Sequence, residues 1–93
     1  MTRKIDYKAA EALESGKRFK QSNTLVEDNA MYLHGHKIAW IENGSLYISL
    51  CGYNTQTTRS RLNGLNGVSV CSKNFQPYLN GEKIESTGIY KID

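Results

Sequence analysis

The stretch "AMYLHGHKIAWIENGSLYISL", residues 30–50, contains three apolar runs separated by two pairs of turn residues. His34-Gly35 and Asn43-Gly44 can both take the positive φ angles that a two-residue hairpin turn requires. The stretch therefore predicts three antiparallel strands joined by two tight turns, and the rest of the chain is interpreted around this unit.

The turns also predict which residues face each other across neighbouring strands. Two-residue loops give the pairs Leu33–His36, Tyr32–Lys37 and Met31–Ile38 at the first turn, and Glu42–Ser45, Ile41–Leu46, Trp40–Tyr47, Ala39–Ile48 and Ile38–Ser49 at the second.

Strand alternation then sorts the side chains of these strands onto two faces. The first face is largely aliphatic and consists of Tyr32, Ala39, Ile41, Leu46, Ile48 and Leu50. The second is mixed and consists of Met31, Leu33, Ile38, Trp40, Tyr47, Ser49 and Cys51. We expect helices on the aliphatic face, and the C-terminal strands or another copy of the chain over part of the second.

A short helix is predicted on each side of the meander. The first covers residues 5–15 and has an apolar face at helical spacing, formed by Ile5, Ala9, Ala12 and Leu13. The second covers residues 56–65, begins after threonines that can cap a helix, and ends near a glycine.

The remaining segments read as strands. Residues 17–29 predict one kinked strand or two short ones, residues 68–75 predict another, Asn80-Gly81 a further hairpin, and residues 88–92 a closing strand. Ninety-three residues suffice for one modest core. The prediction is a single compact domain over residues 1–93, of the α+β class, with a mostly antiparallel sheet built from hairpins and two short helices on one face.

The two histidines raise the question of a metal site, because His34 and His36 could join Cys51 and Cys71 as zinc ligands. "YLHGHKI" at residues 32–38 matches "YLNGEKI" at 78–84 in five of seven positions, and the second copy has no histidine. The turn therefore does not need the imidazoles. The cysteines form no CxxC pair, so we expect reduced thiols and no metal ion. We also expect both histidines to be partly exposed, and no cofactor.

Function is constrained mainly by the absence of known catalytic, signal-peptide and membrane-spanning sequence patterns. No nucleotide-binding, metalloprotease or hydrolase motif is present, which argues against an enzyme. The chain has no signal-peptide core and no long apolar segment, so we expect a cytoplasmic protein without a membrane segment. The net charge of +3 is compatible with nucleic acid without requiring it.

Two binding hypotheses remain. A protein partner, or a second copy in a homodimer, would use the apolar second face through Met31, Ile38, Trp40 and Tyr47. A nucleic acid would instead use Arg59, Arg61 and Lys73 on phosphate, with Trp40 and Tyr47 as stacking contacts. The first hypothesis is favoured, and a zinc-binding or small enzyme domain is a minor alternative.

Resemblance adds a biological context. The order helix, three strands, helix over residues 5–65 resembles that of a double-stranded-RNA-binding domain. The segment "LHGHKIAW…NGSLYISLCGYNTQTTRSRLNGL" resembles small uncharacterised proteins of tailed bacteriophages, which share LHGxKIA and TxTTRxRLN patterns. This second resemblance implies a phage accessory protein in the host bacterial cytoplasm and carries over no catalytic residue.

Overall fold

A computed structural model describes residues 4–92, which form two helices and nine strands. In chain order these are α1 (Lys4–Ser15), β1 (Phe19–Gln21), β2 (Thr24–Glu27), β3 (Ala30–Leu33), β4 (His36–Glu42), β5 (Ser45–Ile48), α2 (Gln56–Asn63), β6 (Val70–Lys73), β7 (Gln76–Leu79), β8 (Glu82–Lys83) and β9 (Tyr90–Ile92). The α+β class is confirmed. Within residues 4–92 neither helix has the length and apolar character to cross a bilayer.

The strands form two antiparallel sheets. The larger has the order β1-β2-β3-β4-β5-β9, and the smaller has the order β6-β7-β8. The predicted three-stranded meander is confirmed as β3-β4-β5, since His34 and Gly35 take φ angles of 52° and 81° and Asn43 and Gly44 take 53° and 79°. The closing strand β9 returns to the edge of the larger sheet beside β5.

Both sheets contribute to one hydrophobic core. The helices supply Leu13 and Leu62, and the smaller sheet supplies Val70 and Leu79. Helix α1 contacts β1, β2 and β3, while α2 contacts α1, β4 and β6. The smaller sheet therefore reaches the core by way of α2, on the side of the larger sheet that carries the helices.

A β-bulge in β4 changes the predicted register. The predicted pair Tyr32–Lys37 is confirmed, but Met31 pairs with Ala39, which leaves Ile38 as the extra residue. Ile38 and Ala39 are consecutive, yet both are buried, with 1% and 0% of their surface exposed. A bulge turns two neighbouring residues toward one side of the sheet, so the alternation is interrupted at this point.

The bulge moves several side chains to the face opposite the one predicted. Met31 and Ile38, which we expected beside Trp40 and Tyr47, lie in the core, and that part of the prediction was wrong. Tyr32, expected among the aliphatic residues, pairs with Lys37 on the opposite face. The other aliphatic positions of the first face do belong to the core or pack against it, namely Ala39, Ile41, Leu46, Ile48 and Leu50.

Candidate functional site

Arg61, a predicted phosphate contact, lies inside the protein with 4% of its surface exposed. Its guanidinium donates hydrogen bonds to the Asp6 carboxylate and, over 2.8 Å, to the Thr24 hydroxyl. The Ser60 hydroxyl donates to the other carboxylate oxygen of Asp6 over 2.5 Å. Arg61 therefore joins α1, α2 and β2, and its assignment to a nucleic-acid surface was wrong.

Arg59, the second predicted phosphate contact, is half-buried near the start of α2. Its Nη1 donates to the backbone oxygen and to the side-chain oxygen of Asn54, over 3.0 and 2.6 Å. The amide nitrogen of Asn54 in turn donates to the Ser72 hydroxyl and to the Phe75 carbonyl, over 3.2 and 3.3 Å. The start of α2 is thus tied to the hairpin between β6 and β7.

Lys73, the third predicted contact, is exposed at the end of β6, two residues before Phe75. Arg61 is thus separated from the other two predicted contacts, while Arg59 and Lys73 are both associated with the β6–β7 hairpin.

Phe75 stands at the tip of that hairpin and was not recognised in the sequence. Its side chain is 97% exposed, and its φ is 66°, in the left-handed region. Asn74 before it has a φ of 51°, so the two residues form the same kind of turn as the three Gly-containing hairpins at Gly35, Gly44 and Gly81. A sequence signal did exist, because "NF" puts a bulky aromatic residue in the second turn position, where the other hairpins with two positive φ angles have glycine or, at Asn29, asparagine.

The face of the larger sheet opposite the helices, here called the outer face, carries two rows of side chains. Cross-strand pairing gives one row of Lys20, Leu25, Tyr32 and Lys37, and a second row of Glu27, Ala30, Trp40, Tyr47 and Lys91. Leu25, Tyr32, Trp40 and Tyr47 are half-buried, and the three lysines are exposed.

The predicted pair Trp40–Tyr47 is confirmed, and it forms a stack on this face. The ring centroids are 5.9 Å apart and the ring planes differ by 13°. The Lys37 ammonium lies 4.9 Å from the centre of the Trp40 ring. We expected the C-terminal strands to cover part of this face, but the smaller sheet packs against α2, and β9 extends the larger sheet at its edge.

The histidines border a cavity of about 400 Å³ between the β3–β4 turn and the start of α2. Its floor is aliphatic, and its rim carries His34, His36, Tyr53 and three threonines. His34 Nε2 lies 3.2 Å from the Asn23 amide nitrogen, and the His36 ring lies 4.8 Å from that of Tyr53. Both histidines are exposed, as predicted.

The cysteines that a zinc site would need lie apart. The Cys51 thiol donates to the Lys37 carbonyl over 2.9 Å, whereas Cys71 lies on β6 in the smaller sheet. Both are free thiols. Across residues 4–92, no three histidine, cysteine or acidic side chains are grouped so that they could hold a metal ion.

A family model described as "Kyanoviridae Gp96 protein" matches residues 2–91, almost the whole chain. No curated protein and no solved structure matches.

Proposed function

The chain belongs to the Kyanoviridae Gp96 family of bacteriophage proteins, and from this membership we propose that it is a non-enzymatic accessory protein that binds a host or phage protein in the bacterial cytoplasm. The contact that we assign to this role is the tip of the β6–β7 hairpin. The expected partner surface is an apolar pocket bordered by carboxylates.

The observation that carries the proposal is the combination of exposure and backbone strain at Phe75. A non-glycine residue in the left-handed region costs about 1–2 kcal/mol, and the exposed ring packs against nothing that would offset this cost. Burial of a phenylalanine side chain contributes about 1.5–3 kcal/mol. A partner with a pocket for the ring would supply that burial, which the isolated chain does not.

The hairpin tip is also held in place before any partner binds. Asn54 fixes the Phe75 carbonyl and is itself fixed by Arg59. Groups that are ordered in advance lose less conformational entropy on association. A rigid aromatic side chain in this setting resembles the anchors that contribute most of the free energy in protein interfaces.

The charges around the tip indicate the chemistry of the partner. Lys73 is exposed two residues before Phe75, and Arg59 lies half-exposed on the far side of Asn54. Positive groups that border an apolar anchor favour a partner with acidic groups around its pocket. Phe75 thus replaces Met31 and Ile38 as the proposed apolar contact, because both of those side chains are buried in the core.

Photo-crosslinking in phage-infected cells tests the proposal. A benzoyl-phenylalanine at position 75 keeps the ring and should give one dominant crosslinked protein after nuclease treatment, whereas the same group at the exposed Glu82 position should not. With the purified partner, Phe75→Gly should weaken binding at least tenfold, and Lys83→Ala should leave it unchanged.

Two results would reject the assignment. One is a crosslinking pattern at position 75 that is no more specific than the pattern at position 82. The other is a purified complex whose dissociation constant is unaffected by Phe75→Gly.

A further inference from the structure

We propose that the outer face of the larger sheet binds single-stranded nucleic acid, as a site separate from the β6–β7 hairpin. The starting point is the bulge at Ile38. Without it, Lys37 would point to the opposite side from Trp40, and with it the Lys37 ammonium lies 4.9 Å from the Trp40 ring. The bulge therefore places the Lys37 ammonium on the same face as Trp40, while Ile38 and Ala39 both point into the core.

The charge of the outer face fits a polyanion. Lys20, Lys37 and Lys91 are exposed on it. The acidic side chains that share it are Glu27 and Glu42, and Glu27 is paired with Arg18 at 3.5 Å. The face as a whole is therefore positive, and phosphate groups that approach the lysines would release bound counterions.

The arrangement of rings and cations fits an extended single strand. Six strands spaced by ~4.8 Å span about 24 Å from edge to edge. The lysines lie on β1, β4 and β9, and the rings of Tyr32, Trp40 and Tyr47 lie between the outer two lysines. Single-strand binders combine a positive surface for the backbone with aromatic side chains on which bases stack.

A single strand fits this face better than a duplex or a protein does. In a duplex the flat surfaces of the bases are already stacked, so half-exposed rings gain little from it. A protein partner would need a larger apolar patch, and the burial of Met31 and Ile38 removes the aliphatic part of the patch that the sequence suggested. A second copy of the chain would bring two net-positive faces together, because a twofold interface uses the same surface of both copies.

The chain contains a reporter for the test, because Trp40 is its only tryptophan. We would titrate a single-stranded oligothymidine of 12 nucleotides into the protein at low salt and follow the fluorescence of Trp40. A DNA duplex of the same length serves for comparison. Three phosphate contacts on a single strand predict a slope of about −2 in a plot of log affinity against log salt.

Single variants locate the contacts. Lys37→Ala and Lys91→Ala should each flatten the slope by about 0.7, while Lys83→Ala, the same change on the smaller sheet, should leave it unchanged. Tyr32→Ala should lower the affinity roughly 5- to 150-fold through the loss of one stacking contact. Phe75→Gly should bind the oligonucleotide normally, which separates this site from the proposed protein contact.

Several outcomes would overturn the inference. These are no fluorescence response at low salt, equal affinity for the duplex, an unchanged slope in both lysine variants, or a concentration-dependent dimer that shields Trp40.

Discussion

Arg61 on α2 and Asp6 on α1 form a buried, hydrogen-bonded ion pair at the contact between the two helices. Their side chains are 5% and 0% exposed. Because the Arg61 Nε also donates to Thr24 on β2, one guanidinium connects both helices to the larger sheet. Transfer of two charges out of water is costly, and the cost is offset only when partners and geometry are as complete as they are here.

Removal of one charge from this pair should destabilise the protein strongly. Asp6→Asn keeps the shape of the side chain but leaves the Arg61 guanidinium without its counter-charge in the interior. We expect a loss of about 3–5 kcal/mol in the free energy of unfolding, measured by urea denaturation. Arg61→Met should cost a similar amount, and the double variant should lose less than the sum of the two.

The exposed pair Arg18–Glu27 is the matched control. It also joins an arginine to a carboxylate, at 3.5 Å, with side chains 65% and 42% exposed. Arg18→Ala should therefore change stability by no more than about 1 kcal/mol. Equal losses for Arg18→Ala and Asp6→Asn would mean that the buried pair does not connect the helices as described.

The hairpins could be predicted because turn chemistry is local. His34-Gly35 and Asn43-Gly44 specify positive φ angles through two residues alone, and once the turn is fixed the pairs beside it follow by counting. The same reasoning identified the Asn80-Gly81 hairpin. Both helices were also found, since their apolar spacing and end signals lie within a few turns of chain.

The bulge and the orientation of α2 could not be predicted in the same way. Ile38 and Ala39 are both apolar, so nothing in the pattern of "KIAWI" says which of them lies opposite Met31. Arg61 faces the core because Asp6, fifty-five residues away in sequence, supplies its partner. Phe75 was overlooked for a different reason, since glycine is the strongest sequence signal of such a turn and the Asn74-Phe75 turn contains none.

Phe75→Gly should raise the stability of the isolated protein. The change relieves a left-handed φ of 66° and removes a side chain that is 97% exposed, so no native packing is lost. We expect a gain of up to about 1 kcal/mol in the free energy of unfolding by urea denaturation, because glycine takes positive φ without steric cost but has greater freedom in the unfolded chain.

Gly35→Ala is the reciprocal control. The backbone at Gly35 has a φ of 81°, and an added Cβ would meet nothing within 4 Å, so the cost is conformational only. This variant should lose about 1 kcal/mol. A loss of stability for Phe75→Gly would show that the phenylalanine contributes to the fold, and would remove the main support for its role as an anchor.

Gly64→Ala should be among the most damaging small substitutions in the chain. Gly64 has an ordinary helical φ of −73°, so backbone strain is not the issue. A Cβ at this position would lie 2.5 Å from the Asp6 backbone oxygen, and α1 would have to move away from α2. We expect a loss of about 1–3 kcal/mol, seen as a lower midpoint in thermal unfolding. Gln56→Ala, at an exposed position of α2, should stay within about 0.5 kcal/mol of the parent.

Chelation should leave the protein unaffected. The Cys51 thiol is engaged by the Lys37 carbonyl, and Cys71 lies on the other sheet, so the four residues of the zinc hypothesis do not converge. The thermal unfolding midpoint should be the same with and without EDTA, and metal analysis of the purified protein should find no stoichiometric zinc. A midpoint that falls with chelator would revive the metal hypothesis, because structural zinc contributes directly to folding stability.

Alanine substitutions on β3 can distinguish the bulged register from the regular one. In the bulged register Met31 pairs with Ala39 and is 0% exposed, while Tyr32 lies half-buried on the outer face. Met31→Ala should therefore lose about 2–5 kcal/mol of unfolding free energy through lost packing and a cavity, and Tyr32→Ala should lose clearly less.

The regular register places Tyr32 among the core residues and Met31 beside Trp40, so it requires the opposite order of losses. Strand propensities span only about 1 kcal/mol and tyrosine is enriched in strands, so propensity cannot produce a larger loss for Met31→Ala than for Tyr32→Ala. Urea denaturation of both variants, with Ile38→Ala as a second core position, decides between the two registers, and a larger loss for Tyr32→Ala than for Met31→Ala would rule out the bulge and with it the lysine-bearing outer face.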